Sequence, residues 1–168
     1  MKAMKHLFPL LACLLFVGCD FTVPLVETPK LDIDKSLVGV WEKPKTDATQ
    51  PPDRLLVLPL DKQEYLVTFT GNGTDVIYAR GCLCKTADLT LVQLKWLGNS
   101  KGEAPDDSRV YQFASFSLSG NQLHLRLLNP ETVGRDAKST ADLTKAIEAN
   151  KASPALFREE MLFTKAKE

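Results

Sequence analysis

The sequence predicts a mainly β domain, an antiparallel up-and-down β-barrel or a strongly bent sheet, with one C-terminal α-helix followed by a last strand. Three observations lead there. Short runs rich in β-branched, aromatic and leucine residues recur from Leu37 to Leu128, separated by Gly, Pro, Asn and Asp. Successive runs are joined by short connections, which favour antiparallel neighbours over parallel βαβ units. After Asn129-Pro130 the pattern turns helical and then extended again.

At the amino end, Lys2 and Lys5 precede an apolar run from Leu7 to Val17, which closes on Gly18-Cys19. That is the layout of an export leader. The run of about 11 residues is well short of the roughly 20 that a helix needs to cross a bilayer. Residues 1–18 are therefore expected to be a signal peptide that is removed. Phe16-Val17-Gly18-Cys19 resembles the lipobox of bacterial lipoproteins, with Phe16 where Leu is usual. The resemblance implies cleavage before Cys19, a diacylglycerol thioether on its sulfur and acylation of the new amino terminus. It places the chain in the cell envelope, anchored to a membrane with its domain exported and facing the periplasm. Asp20 resembles the retention signal of enteric inner-membrane lipoproteins, a rule that other bacteria do not share, so both membranes stay open. Residues 19–34 carry Pro24 and Pro29 without a strand or helix period, and read as a lipidated tether ahead of a β domain at 35–168.

Removal of the first 18 of 168 residues leaves 150, one domain with enough chain to bury a core. Two lysines leave with that segment, so 19 basic residues face 21 acidic ones in the mature chain. A balance of −2 excludes a basic nucleic-acid binder and predicts no strongly charged partner.

Strands are expected near 37–43, 54–60, 64–70, 75–83, 87–96, 109–118 and 121–128. Tyr65, Val67 and Phe69 alternate with Glu64, Thr68 and Thr70, which makes one face core and the other partly wet. Asp61-Lys62, Gly71-Asn72-Gly73 and Gly120-Asn121 supply turn chemistry. Ser139 and Asp142 stand at capping-box spacing, and Leu143, Ala146 and Ile147 share one helical face up to Asn150. Ser153-Pro154 opens a further turn, and Met161 to Lys165 is the last strand.

Leu37-Val38-Gly39-Val40-Trp41 opens the first strand with a Gly-x-Trp element. That element, with the late helix and returning strand, resembles the lipocalin-like group of the calycin superfamily. The resemblance implies a barrel plugged at one end by Gly39 and Trp41 and open, or covered by loops, at the other. It also implies an arginine from a late strand lying across the indole: Arg126 by position, with Arg80 as the alternative.

Cys82 and Cys84 are the two thiols left once Cys13 is removed and Cys19 acylated. In an oxidising compartment they are expected to be buried, bridged, or engaged in redox or metal work. Positions two apart on a strand separate Cα atoms by about 6.5 Å, close to the upper limit for a disulfide. Zinc would need further ligands, and His124 is the one histidine of the mature chain, so no metal and no cofactor are expected. Nothing at diagnostic spacing gives His124 a nucleophile or a paired carboxylate, so no enzyme activity is expected either.

Two long connections, Lys43 to Asp53 and Gly98 to Ser108, could rim an opening. Tyr65, Phe69, Tyr78, Trp96, Tyr111, Phe113 and Phe116 are the candidate ligand-lining residues. If they fill the interior, binding is confined to surfaces; if they line a void, a small apolar ligand is expected. The function expected is non-catalytic binding of such a ligand or of an envelope protein. The alternatives are an enzyme inhibitor or envelope assembly factor acting through a protein surface, and thiol redox or metal handling through Cys82 and Cys84.

Overall fold

The computed structural model describes residues 19–43, 45, 49–71, 75–105 and 108–167. The expected leader, 1–18, and the Asn72-Gly73 part of one expected turn lie outside them. Eight strands form one closed antiparallel barrel in chain order. They are β1 (Gly39–Lys43), β2 (Asp53–Pro59), β3 (Glu64–Gly71), β4 (Asp75–Thr86), β5 (Leu89–Asn99), β6 (Tyr111–Ser119), β7 (Gln122–Leu127) and β8 (Met161–Lys165). A four-residue helix, α1 (Pro130–Val133), and the main helix, α2 (Thr140–Ala149), stand between β7 and β8. Closure is made where Trp41 pairs with Lys165 and Glu42 with Thr164.

The mainly β barrel, the late helix and its returning strand are thus as the sequence predicts. β4 runs further toward the shared turn than expected, to Thr86, while β5 begins later, at Leu89, and runs on to Asn99. Their hairpin turns on Ala87 and Asp88, both at positive φ (49° and 64°), so pairing extends to Thr86 and Leu89. Two positive φ values match the right-handed strand twist, and Ala is not a residue that announces them. One irregularity interrupts the same pair near the other end, where Ala79 faces Trp96, Tyr78 faces Gly98, and Leu97 bulges out.

Side-chain parity divides the apolar residues into two cores. Trp41, Val57, Tyr65, Val67, Leu83, Leu123 and Phe163 belong to the barrel interior. Phe21, Leu25, Cys84, Leu91, Phe113, Leu143 and Ile147 form a second cluster on the outer wall. The outer cluster exists because α2 is amphipathic. Its N-cap Ser139 accepts from the Asp142 amide (3.1 Å) and donates to the Asp142 carboxylate (2.8 Å), as the capping-box spacing predicts. Leu143 and Ile147, one turn apart, are then fully buried against the wall.

The stretch expected as a tether is docked for much of its length. Phe21 pairs with Tyr111 through two backbone hydrogen bonds and stacks at a tilt on Phe113, ring centroids 5.2 Å apart. Gln93 projects outward from β5 and binds the same segment. Its carbonyl oxygen accepts from the Leu25 and Val26 amides (2.7 and 3.0 Å), and its amide donates to the Val26 carbonyl (2.9 Å). The proline-broken sequence prevents a helix or strand, but a buried side-chain amide satisfies the backbone instead. Gln93→Ala leaves three backbone groups without those partners and is expected to cost about 1–3 kcal/mol. Urea unfolding checks the magnitude, and faster proteolytic cleavage near Leu25 checks the place.

Candidate functional site

The barrel is hollow. Inward positions enclose a cavity of about 520 Å³, within the roughly 300–1,000 Å³ usual for small-molecule sites. An eight-stranded barrel is just wide enough for side chains to fill it, so the sizes of inward residues decide whether space remains. Here Ala79, Gly81 and Ala114 occupy inward positions on β4 and β6. Beside them Leu55, Phe69, Val92 and Leu94 line the space and stay half-exposed although they point inward. Solvent reaches them through an open end.

One end is plugged. A 3₁₀ turn, Lys35–Leu37, crosses it, and the Trp41 indole donates to the Leu37 carbonyl (2.8 Å). Tyr65 is buried below the turn; its hydroxyl accepts from the Asp34 amide (2.6 Å) and donates to the Asp34 carbonyl (3.2 Å). Desolvation raises the Tyr65 pKa, with the Asp34 backbone bond opposing it. The cation over Trp41 is not the arginine expected. Lys165 of β8 places its ammonium 5.2 Å from the ring centroid. Gly39 makes this possible, since a Cβ there would lie 3.0 Å from Lys165 Cε, and its φ of +138° is one that side chains rarely adopt. Arg126 instead faces outward, donating to the Arg158 carbonyl (3.2 Å) and lying over Phe157. Arg80, the alternative, is also on the outer face, paired with Glu64. Both belong to the parity opposite that of Trp41, so neither can cross the interior.

The other end carries the polar lining: Lys43, Lys45, Asp53, Asp75, Asn99 and Gln112. Lys45 and Asp53 form an ion pair of 2.6 Å, each largely shielded from solvent. Lys101 spans to Asp75 (2.8 Å) across the rim. The connections between β1 and β2 and between β5 and β6 both arise at this end, as the sequence suggests for a rimmed opening. Gly98, expected to begin the second, is instead the next-to-last residue of β5; its φ is +150°, and a Cβ would meet the Glu103 carbonyl oxygen at 2.7 Å.

Of the seven aromatics expected at a ligand site, Tyr65, Phe69 and Trp96 line the cavity. Phe116 points inward and packs against the interior core. Tyr111 and Phe113 face outward into the second cluster, and Tyr78 is exposed on the wall, because each lies at the opposite strand parity. The aliphatic lining, chiefly Leu55, Val57, Val92, Leu94 and Leu125, escaped an aromatic-led reading. Its signal is present in the alternation along each strand.

Cys82 and Cys84 are free thiols on the outer face, buried and unbridged. Cys84 lies within 3.6 Å of the Leu91 carbonyl oxygen, and the Gln93 amide within 3.8 Å of Cys82. Burial pushes the Cys82 thiol from 9.0 up to about 11, aided by the Glu64 charge. It pushes Cys84 up to about 12, aided by Cys82. Thiolate chemistry is suppressed in both. Among the described residues, no three of His, Cys, Asp and Glu converge where a metal ion could sit. His124 sits on the outer face, 3.1 Å from the Glu160 carboxylate.

No protein-family model, curated protein or solved structure matches this chain. Among the described residues, no helix is long and apolar enough to cross a membrane.

The thiols give a pH prediction. Unfolded, they ionise near 9.0, whereas folded they hold their protons to about 11 and 12. The stability they contribute is complete below about pH 9 and is lost as the pH rises through the folded values, because the unfolded chain then binds fewer protons. Replacing both by Ala should flatten the alkaline fall in urea midpoint relative to the parent chain. Iodoacetamide at about pH 8 should modify neither thiol in the native chain and both in urea.

Proposed function

We propose that this chain is a lipid-anchored cell-envelope protein whose lipocalin-like barrel binds a small apolar ligand and catalyses no reaction. The single observation that carries the binding half is the hollow interior, open at one end and lined mainly by aliphatic and aromatic side chains. Burial of apolar surface in such a space is the driving force, at roughly 25 cal/mol per Å² before the costs of association. Lys43, Lys45 and Asn99 at the rim supply the few polar groups that orient a ligand with one polar end. The anchor half rests on Phe16-Val17-Gly18-Cys19 and the lysine-led apolar run before it.

The hollow interior favours this reading over an inhibitor or assembly factor, since a packed barrel would have left surfaces alone for binding. Two deeply buried thiols with raised pKa values argue against redox or metal work at Cys82 and Cys84.

Native mass spectrometry of the protein extracted from its own membrane tests both halves. The expected mass is that of a chain beginning at Cys19 plus diacylglycerol and acyl groups, with an apolar molecule retained. The naphthylamine dye N-phenyl-1-naphthylamine tests the cavity directly. Ala114→Phe adds a ring to the void and should weaken dye binding on the order of tenfold or more while keeping a cooperative thermal transition, with stability lowered by about 1–3 kcal/mol at most. Unchanged dye affinity would place the dye outside the barrel and remove the support for a ligand.

A further inference from the structure

We propose that the open end of the barrel rests on the membrane surface, so that an apolar ligand passes between bilayer and cavity without crossing water. The inference rests on the anchor reading above and adds to it an orientation and a ligand source. Cys19, the residue proposed to carry the lipid, itself lines the cavity, together with Gln112 and Trp96. It is held there. Asp20 is gripped by the Gln112 amide (2.9 Å) and the Arg158 guanidinium (2.8 Å). Phe21 follows with no exposed surface and two backbone hydrogen bonds to Tyr111 at the start of β6.

A tether of free chain would let the barrel tumble above the lipid. A clamp beginning at the first residue after the lipidated one does not. The acyl chains on Cys19 enter the bilayer from the rim, and the rim must follow them to within the reach of one residue.

On the outer wall toward the rim, Tyr78 and Leu97 flank the bulge and Leu162 is second in β8, all exposed; Leu58 and Leu60 are exposed toward the plugged end. An exposed aromatic with a polar tip next to an aliphatic suits the headgroup boundary. Asp53 and Asp75, which would repel anionic headgroups, are engaged by Lys45 and Lys101. The plugged end lies roughly 20 Å of strand away, and its exposed Leu60 sits in the turn after β2.

The test uses the full acylated chain in vesicles of phosphatidylcholine with and without brominated acyl chains. A nitrobenzoxadiazole maleimide is attached to Leu97→Cys in one protein and to Leu60→Cys in another. Both sites are exposed, and the buried native thiols do not compete for the dye. Brominated lipid should quench the dye at position 97 several-fold more than at position 60. Replacing Gln112, Arg158 and Phe21 together by Ala loosens the clamp at Asp20 and Phe21 and should bring the two sites toward equal quenching. Equal quenching in the clamped protein, stronger quenching at 60, or none at either site overturns the orientation while the anchor stands. An unmodified Cys19 by mass spectrometry, with failure to float with vesicles, overturns anchor and orientation together.

Discussion

Closure of the sheet between β1 and β8 is the constraint from which the other features follow. Once those strands pair, every residue has an inside or an outside, and a shift of one position would exchange the two. The interior then has a fixed diameter, and what fills it depends on residue volume alone. Ala79 and Ala114 are small among the inward residues that line the space and leave it partly empty. Trp41, Tyr65 and Phe163 fill the plugged end and are almost completely buried. With the 3₁₀ turn over that end, the cavity opens at the other, where Phe69 and Trp96 also line it.

The outer wall follows a different logic. Outward positions on β4, β5 and β6 are apolar where α2 and the amino-terminal segment cover them, at Cys84, Leu91 and Phe113. Elsewhere the outer face mixes the charged Arg54, Glu64, Arg80 and Lys95 with the exposed Leu58, Tyr78, Leu97 and Leu162. A mainly apolar interior is opposite to the polar lumen of a barrel that spans lipid. The thiols belong to this covered strip, which is why they are inert and why their parity looked more suggestive in the sequence than their environment makes them.

Strand order, the capped helix and the final strand were legible because each has a local cause: turn residues, a capping box, a change of period. The cation over Trp41 was not. Arg126 has the chain position that the resemblance implies, but its strand parity turns it outward, and it is Lys165, passing beside Gly39, that lies over the indole. That is a fact about two strands distant in sequence. The docking of residues 21–26 was also hidden, since the prolines report what the segment cannot form and nothing in it names Gln93 as its partner. Likewise, the aromatics drew notice by type, whereas the cavity is set by aliphatic neighbours and by residues that are small. Type is read one residue at a time; volume is a property of the whole ring.

The placement of α1 and α2 before the last strand has a temporal consequence. Trp41 finds its partner Lys165 only after the intervening barrel strands and both helices have been made. A ring whose final stave arrives last has no enclosed interior at any earlier stage, and such long-range pairing is entropically slow to form. Until then the edge of β1 away from β2 and the edge of β7 away from β6 lie open to other chains. The five residues of β8 therefore govern when the molecule first acquires an inside.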